Sequence, residues 1–355
     1  MSGDQIANFR YSLQETDEMV KAIDKPVNFL TAKFFQRQRF FNGSANIEWD
    51  IVEGTGRRLA PFVSPMSLGV PVKEQGSAIG TIAPPYIKLL NVVNPAQSHS
   101  RTPGEPYGGN KTFQQRLDEK VAELLLEHRT QIDNRLEWMA GKILSTGQVT
   151  CAGPEYPSQL VDFGQASALR VPLDSSDEWD HADGDPLGDI EDMWSTVRDK
   201  SYGASATTVV MEGTAFKLFR AKMKSQSIMF DATIRLTDQG TRIDATPRAN
   251  ADGELMGTIG KYSFWTYDGA YEAENGTLAK HLPSYTAIQI DPVAFEGTQY
   301  FAGIMDMDAN MQAMKHFSKT WPSKNPSGMS VLTQSAPILG PRRRNAWAVF
   351  TVKTP

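Results

Sequence analysis

The side chains best suited to chemistry in this sequence are five histidines, one cysteine and a dense acidic stretch. The histidines are His99, His128, His181, His281 and His316. No two of them have the four-residue spacing of a helical zinc site, and Cys151 has no cysteine partner. A zinc site is therefore not expected. We expect His128, on the apolar face of a predicted helix, to be packed or hydrogen-bonded inside the fold.

The acidic stretch is the best candidate for a site that binds a hard cation, which needs several carboxylate oxygens at one point. It covers residues 174–192, with Asp180, Asp183 and Asp185 beside a glycine. These acids do not alternate as in a calcium loop, and no glutamate follows at the required distance. We therefore favour a solvated linker whose Asp185 and Asp189 lie at the start of the next helix. A metal-dependent hydrolase built on this stretch is the alternative.

Other catalytic patterns are absent from the sequence. No glycine-rich phosphate loop, nucleophile elbow or dinucleotide fingerprint occurs. Asp306 and Asp308 are expected to be polar residues of a loop or strand end. The basic run 342–344 beside Trp347 could bind nucleic acid or an acidic partner, but a solvated turn is favoured. We expect no enzyme activity and no cofactor.

Composition narrows the class of protein further. The chain has 355 residues, enough for two or three structural units. With 36 basic against 41 acidic side chains its net charge is -5, which argues against a protein that coats nucleic acid. One cysteine fits a reducing compartment. The first residues do not read as a secretory signal, and no apolar run approaches the ~20 residues of a membrane span.

The first 45 residues contain an aromatic and basic strip. Its aromatic members are Phe34, Phe35, Phe40 and Phe41, interleaved with Arg37 and Arg39. One interpretation buries this amphipathic strip against something distant, with another chain as a candidate. The alternative is an ordinary terminal helix packed on its own domain.

The middle of the chain changes from extended to helical patterns. Glycine and proline recur through residues 46–107, which predicts extended arms or a long hairpin whose purpose is contact. Residues 112–145 then predict one helix, capped by Thr112 and ended by Gly147, which spans roughly 50 Å as a spine. The charged residues on its other face are expected to be solvated; they include Arg116, Asp118, Glu119, Lys120, Glu123, Glu127, Arg129, Asp133, Arg135 and Glu137.

The second half alternates between helix and strand patterns. Short strands are expected in QVTCAG, SQLVDFG and ALRVPL. Helices are then predicted over 190–200 and 214–223, and strands over 207–211, 262–267 and 286–290. The final stretches, VLTQSAPILG and AWAVFTVKTP, are interpreted as two strands around a Pro-Arg turn. Such alternation indicates a mixed α/β unit with helices on a sheet.

An arm, a long hairpin, a spine helix and an α/β unit, in that order, suggest a tile that interlocks with its neighbours. The run FVSPMSLGVPVKEQGSAIGTIAPPYIKLLNVVNP at 62–95 resembles the extended loop of the lambda-type phage major capsid proteins, the protein E family. Three more runs match in the same order: YDGAYEAENGTLAKHLP, IMDMDA and TQSAPIL. The resemblance extends from about Phe29 to the end, and departs in the first 25 residues and in the last 15.

The resemblance implies an α+β protein with the Hong Kong 97 capsid fold. The implied parts are an N-terminal arm (1–45), an E-loop (46–108), a peripheral domain with the spine helix (109–185), an axial domain (186–335) and closing C-terminal strands (336–355). It also implies a major capsid protein that assembles as hexamers and pentamers into the icosahedral head of a tailed bacteriophage. That head encloses double-stranded DNA and expands on maturation. A cellular nanocompartment shell is the alternative within this fold.

Inter-subunit contacts are the sites that such a protein needs. The candidates are Phe34, Phe35, Phe40, Phe41, Arg57, Arg58, Phe62, Lys73, Tyr86 and Lys88. Hinges between subunit settings are expected near the glycines Gly54, Gly56, Gly104, Gly108 and Gly109. The expected partners are further copies of the chain, a separate scaffolding protein, a portal and a decoration protein. The expected location is the virion, after assembly in the host cytoplasm, with DNA enclosed but not bound sequence-specifically and no membrane partner.

Overall fold

A computed structural model describes residues 28–44, 46–52, 77–95, 112–153, 156–225, 253–273, 275–324 and 327–354. The predictions for the arm before residue 28, for Arg57, Arg58, Phe62 and Lys73, and for the glycine hinges lie outside these residues. The helices are α1 (Phe29–Phe34), α2 (Phe113–Thr146), α3 (Pro186–Lys200), α4 (Gly213–Ser225) and α5 (Pro292–Phe295). The strands are β1 (Arg37–Phe41), β2 (Ile47–Val52), β3 (Ser77–Ile82), β4 (Ile87–Val93), β5 (Gln148–Gly153), β6 (Tyr156–Asp162), β7 (Arg170–Pro172), β8 (Thr208–Met211), β9 (Gly253–Ile259), β10 (Tyr262–Tyr267), β11 (Ala270–Glu272), β12 (Leu278–Lys280), β13 (Thr286–Ile290), β14 (Thr298–Ala302), β15 (Phe317–Lys324), β16 (Ser327–Ser335), β17 (Pro337–Gly340) and β18 (Trp347–Thr351).

A six-stranded mixed sheet holds the main core. Its strand order is β7-β18-β13-β8-β10-β9, with β8 parallel to β10 and antiparallel to β13. Every residue of β8 and β13 is buried, as expected for central strands covered on both faces. Helix α3 contacts β13 and β18, while α4 contacts β8 and β10. The aromatic side chains Trp179, Phe219, Phe264 and Phe350 fill the space around the sheet.

The spine helix α2 begins and ends where the sequence predicts. The Thr112 hydroxyl accepts a hydrogen bond from the Gln115 backbone N–H, and the Gln115 side chain accepts one from the Thr112 N–H. This capping box satisfies two donors that a helix start leaves free. Gly147 adopts a left-handed φ of 70° and ends the helix. Within the described residues, no helix is long and apolar enough to cross a membrane.

The two halves of α2 pack in different cores. Residues of its C-terminal half, from Leu136 to Leu144, belong to the main core. The N-terminal half packs on a separate three-stranded sheet and forms a small cluster with it, whose members are Val93, Leu117, Val121, Leu124, Leu125, Met329 and Val331. The spine therefore connects a large core to a small one.

That three-stranded sheet joins distant parts of the chain. Its order is β15-β16-β4, all antiparallel, with Leu332 opposite both Leu90 and Lys319. Strand β4 comes from the segment 46–108, so this segment is not one continuous hairpin. Within the part of this segment that the structure describes, β2 and β3 pair with each other, from Ile47 opposite Ile82 onward. The sequence pattern could not show this division, since the partner of β4 lies more than 200 residues away.

One prediction near the end of the chain is wrong, and the terminal-helix alternative for the aromatic strip holds only in part. The stretch VLTQSAPILG is not one strand: β16 ends at Ser335, and β17 lies in another sheet, with order β1-β14-β17. The aromatic strip is not one helix either, because β1 follows α1 and pairs parallel with β14. Phe34 and Phe35 are buried in the core of their own chain. Their side chains are therefore not available to a second subunit, and the alternative of packing on the own domain applies to them.

Candidate assembly surface

One side of the three-stranded sheet faces α2, and the other side faces away from it. Side chains alternate between the two sides of a strand, so Met329, Val331 and Thr333 point toward the helix. We call the opposite side, formed by Lys88, Leu90, Val92, Lys319, Trp321 and Leu332, the outer face. On it, Leu90 is 55% and Val92 43% exposed. The outer face therefore presents apolar side chains on an edge strand of the described sheet.

A polar network lies at one end of the outer face. The Lys319 ammonium lies 2.6 Å from an Asp306 carboxylate oxygen and 3.1 Å from one of Asp308. The Gln334 amide donates to Asp306 at 2.8 Å, and the Tyr86 hydroxyl donates to the Gln334 oxygen at 2.6 Å. Burial would raise the pKa of Asp306, but the hydrogen bonds from Lys319 and Gln334 lower it overall. Asp306 and Asp308 thus hold a lysine in place, as polar loop residues do.

This arrangement brings three of the sequence motifs together. Tyr86 and Lys88 come from the run at 62–95, Asp306 from IMDMDA and Gln334 from TQSAPIL. The hollow between them has a volume of about 450 Å³. Its lining mixes apolar and charged side chains, namely Lys88, Leu90, Asp306, Asp308, Lys319, Thr320, Trp321 and Leu332. Such a mixture of apolar area and oriented charge is typical of protein interfaces.

Two more contact candidates lie at the edge of the sheet β1-β14-β17. The Phe40 ring stacks on Phe301 with centroids 5.3 Å apart and remains 46% exposed. Phe41 is half-buried against Tyr300. These two aromatic residues, unlike Phe34 and Phe35, are at the surface of the described chain.

Sequence reasoning missed a buried anchor on the spine, because Glu137 was expected to be solvated. Its carboxylate accepts hydrogen bonds from the backbone N–H groups of Leu30 and Thr31, at 2.7 and 2.8 Å, and from the hydroxyls of Thr31 and Tyr267. Burial raises the pKa of Glu137, while these hydrogen bonds lower it; the net shift is upward. The carboxylate satisfies first-turn N–H groups of α1 and fastens this helix to the spine. In the sequence, the only indication was that the first-turn N–H groups of α1 need a hydrogen-bond acceptor.

Two further residues of the predicted solvated face are not solvated either: Arg129 is buried and Asp133 is half-buried. Arg129 is 6% exposed, and the Asp133 carboxylate lies 2.8 Å from the Lys315 ammonium. Burial would raise the pKa of Asp133, but the neighbouring His316, with its Nε2 3.5 Å away, and the charge of Lys315 lower it to about 2. The spine is therefore covered on more of its circumference than its apolar stripe predicts.

Charged residues of the YDGAYEAENGTLAKHLP run have structural roles. The Lys280 ammonium bridges the buried Glu212 carboxylate and Asp268. Glu212 also accepts hydrogen bonds from the backbone N–H groups of Thr214, at the start of α4, and Tyr285. Burial would raise the pKa of Glu212, but the hydrogen bonds from Lys280 and Thr214 lower it overall. This cluster ties the start of α4 to the segment between β10 and β13, which contains the β11–β12 hairpin.

The other residues singled out for chemistry make local contacts. Asp189 accepts a hydrogen bond from the Trp179 indole at 2.8 Å, and Asp180 pairs with Lys353. Asp185 precedes α3 but makes no capping hydrogen bond with its side chain. His128 is buried, with its Nδ1 3.1 Å from the Thr333 hydroxyl; this confirms the structural role expected for it. Among the described residues, no three His, Cys, Asp or Glu side chains converge as a metal site would require.

Comparison with known proteins identifies the family. Residues 12–352 match the family model described as phage major capsid protein E. The major capsid protein of Enterobacteria phage P21 is 25% identical over 315 residues, covering 84% of this chain and 88% of that protein. The major capsid protein of Escherichia phage lambda is 24% identical over 295 residues, covering 79% and 82%.

Solved structures show the same fold. The putative capsid protein of a prophage from E. coli CFT073 has a TM-score of 0.73 at 18% identity and covers 97% of this chain and 100% of its own. The capsid of Ralstonia phage GP4 has a TM-score of 0.50 at 8% identity, with coverage of 99% and 96%. These similarities confirm the α+β phage capsid fold. Since the family model matches nearly the whole chain, this protein belongs to the phage major capsid protein E family.

Proposed function

We propose that the chain is the major capsid protein of a tailed bacteriophage. It assembles as hexamers and pentamers into an icosahedral shell that encloses packaged double-stranded DNA and expands on maturation. The observation that carries this proposal is the family match over residues 12–352. The exposed apolar outer face supports it, because such a surface needs a partner to cover it.

The outer face is the surface that we assign to contact with a second copy of the chain. A shell must resist outward pressure, and one interface of standard size gives only modest affinity after the entropy of association is subtracted. Several interlocking contacts per subunit meet this requirement. Tyr86 is suited to transmit strain, because its hydrogen bond to Gln334 fixes the segment after β3 to the central strand β16. Lys88 and Leu90 then present charge and apolar area beside this anchor.

Further partners belong to the same proposal. A separate scaffolding protein guides assembly, a portal occupies one vertex and a decoration protein reinforces the shell. Support for these partners comes from the family resemblance alone. If the purified chain formed uniform shells by itself, a separate scaffolding protein would be unnecessary.

Electron microscopy of the expressed chain, alone and with its phage companion proteins, tests the proposed function. We expect closed shells of uniform size in at least one of these preparations, with hexameric and pentameric capsomers. A chain that stays monomeric at high concentration in both preparations would contradict the proposal. Shells that enclose a host enzyme instead of DNA would favour the nanocompartment alternative.

A further inference from the structure

Helix α4 carries a strip of unpaired cations on an acidic protein. Its 13 residues include four lysines or arginines and no acidic residue. Ala215, Phe216, Phe219 and Met223 are its buried residues, so its other face is outward. Lys217, Arg220 and Lys224 are exposed there. We call these three residues the cationic strip.

The three cations of the strip have no counter-charge among the described residues, unlike several other cations of the chain. Lys280, Lys319, Lys353 and Arg342 each pair with a carboxylate. No charged group of the strip makes an ion pair or hydrogen bond with any described residue. The fourth cation of α4, Lys222, is used internally, because its ammonium donates to the backbone oxygens of residues 181 and 182. The strip is therefore left for something outside the described chain.

The spacing of the strip favours a regular polyanion. Positions i, i+3 and i+7 lie on one face of a helix, and at 1.5 Å per residue they cover about 10 Å along its axis. One strand of duplex DNA advances about 3.4 Å per phosphate, so this length matches about three successive phosphates. The helix dipole of α4 favours cations only in the last turn, so it accounts for Lys224 but not for Lys217 and Arg220. The strip consists of cations alone, and the anionic groups of duplex DNA are its backbone phosphates, so the matching contact is with the backbone.

We propose that the cationic strip of α4 binds the phosphate backbone of packaged duplex DNA and lies on the inner wall of the shell. This inference rests on the proposed function and adds the surface that faces the genome. Three charges per subunit give a weak, sequence-independent contact that strengthens only through many copies. Such a contact orders the outermost DNA without preventing its release.

The test compares duplex DNA binding by the full-length chain with that of K217Q/R220Q/K224Q, using fluorescence anisotropy of a labelled 30-base-pair duplex. A matched control, R39Q/K200Q/K324Q, removes the same charge from exposed positions on other elements. Three phosphate contacts predict about 40-fold weaker binding between 50 and 200 mM salt. In a plot of log K against log salt concentration, the slope of the strip variant should be shallower than that of the wild type by about 2.7. The slope of the control should change much less.

Equal loss in both triple variants, or no loss in either, would overturn the inference. Loss of binding to poly-glutamate but not to the duplex would overturn it as well, since the strip would then serve an acidic protein partner. Electron microscopy of the same variants separates this inference from the proposed function. Normal shells with unchanged DNA binding contradict only the inference, whereas a wild-type chain that forms no shell contradicts the proposed function itself.

Discussion

The two cores that meet along the spine helix differ in size and in what covers them. Around the six-stranded sheet, helices and loops bury the central strands on both faces. Among the described residues, the cluster under the three-stranded sheet has seven side chains, and the outer face of that sheet exposes Leu90 and Val92. Three strands are about the minimum for independent stability. On the proposed function, we expect the large core to fold the subunit and neighbouring subunits to complete the small one.

The largest effect on stability is expected from the large core. Phe219 is fully buried and its ring stacks on Phe264 with centroids 4.9 Å apart. Phe219→Ala should lower the free energy of unfolding by about 3 to 5 kcal/mol through lost burial and a cavity, measured by urea denaturation of the soluble subunit. Phe40→Ala is the control and should cost less than about 1 kcal/mol, because that ring is partly solvated. Equal costs at both positions would remove the distinction between core and surface.

Next in size is the anchor of α1 on the spine. Glu137→Ala removes the acceptor of four hydrogen bonds and leaves backbone donors of Leu30 and Thr31 unsatisfied. The expected loss is about 3 kcal/mol, with faster proteolytic cleavage next to α1 in the otherwise folded protein. The control Glu127→Ala changes an exposed glutamate on the same helix and should leave both measurements near wild type. Unchanged cleavage in Glu137→Ala would show that α1 is held by its apolar contacts alone.

A smaller, pH-dependent effect is expected at Asp133. Its folded pKa of about 2 lies below the ordinary value of 3.8, so its ionised form stabilises the fold at neutral pH. This contribution is present above about pH 4 and is lost as the pH falls toward 2; it amounts to about 2 kcal/mol. Asp133→Asn should flatten the fall in stability between pH 4 and 2, whereas the exposed Asp199→Asn should not. An unchanged acid profile in Asp133→Asn would contradict the stabilisation of this carboxylate by His316 and Lys315.

The smallest effect on stability, but a large one on assembly, is expected at the outer face. Leu90→Arg should change the free energy of unfolding by less than about 0.5 kcal/mol, because Leu90 is already 55% exposed. Shell formation, followed by sedimentation velocity and electron microscopy, should be abolished because a charge is placed in the subunit contact. Leu160→Arg is the matched control, since Leu160 is an exposed leucine of another sheet. A Leu90→Arg chain that forms normal shells would place the contact elsewhere.

Local patterns in the sequence predicted the elements that depend on neighbouring residues. The spine helix follows from its 3.6-residue period, from Thr112 and from Gly147, and the strands 262–267 and 286–290 follow from β-branched and aromatic runs. Long-range pairing was not accessible in this way. No local feature shows that β4 pairs with β16 or that β1 pairs with β14, because these partners lie more than 200 residues apart.

The residues of the assembly surface were likewise predicted only where a local motif marks them. Tyr86 and Lys88 were found because they lie in a motif, and the structure adds their neighbours Gln334 and Asp306 from two other motifs. Glu137 was assigned to the solvated face because a glutamate on a helix is usually exposed. Only the position of α1, whose first-turn N–H groups need an acceptor, shows why this carboxylate is buried.

Hydrogen–deuterium exchange of β4 in free subunits and in assembled shells tests most directly whether neighbouring copies complete the small core. The amides of residues 87–93 should exchange at least about tenfold more slowly in shells than in free subunits, because assembly covers the outer face. Those of β13, at the centre of the six-stranded sheet, should be equally protected in both states. Strong protection of β4 in the free subunit, or no gain of protection in shells, would contradict the role of the outer face in assembly.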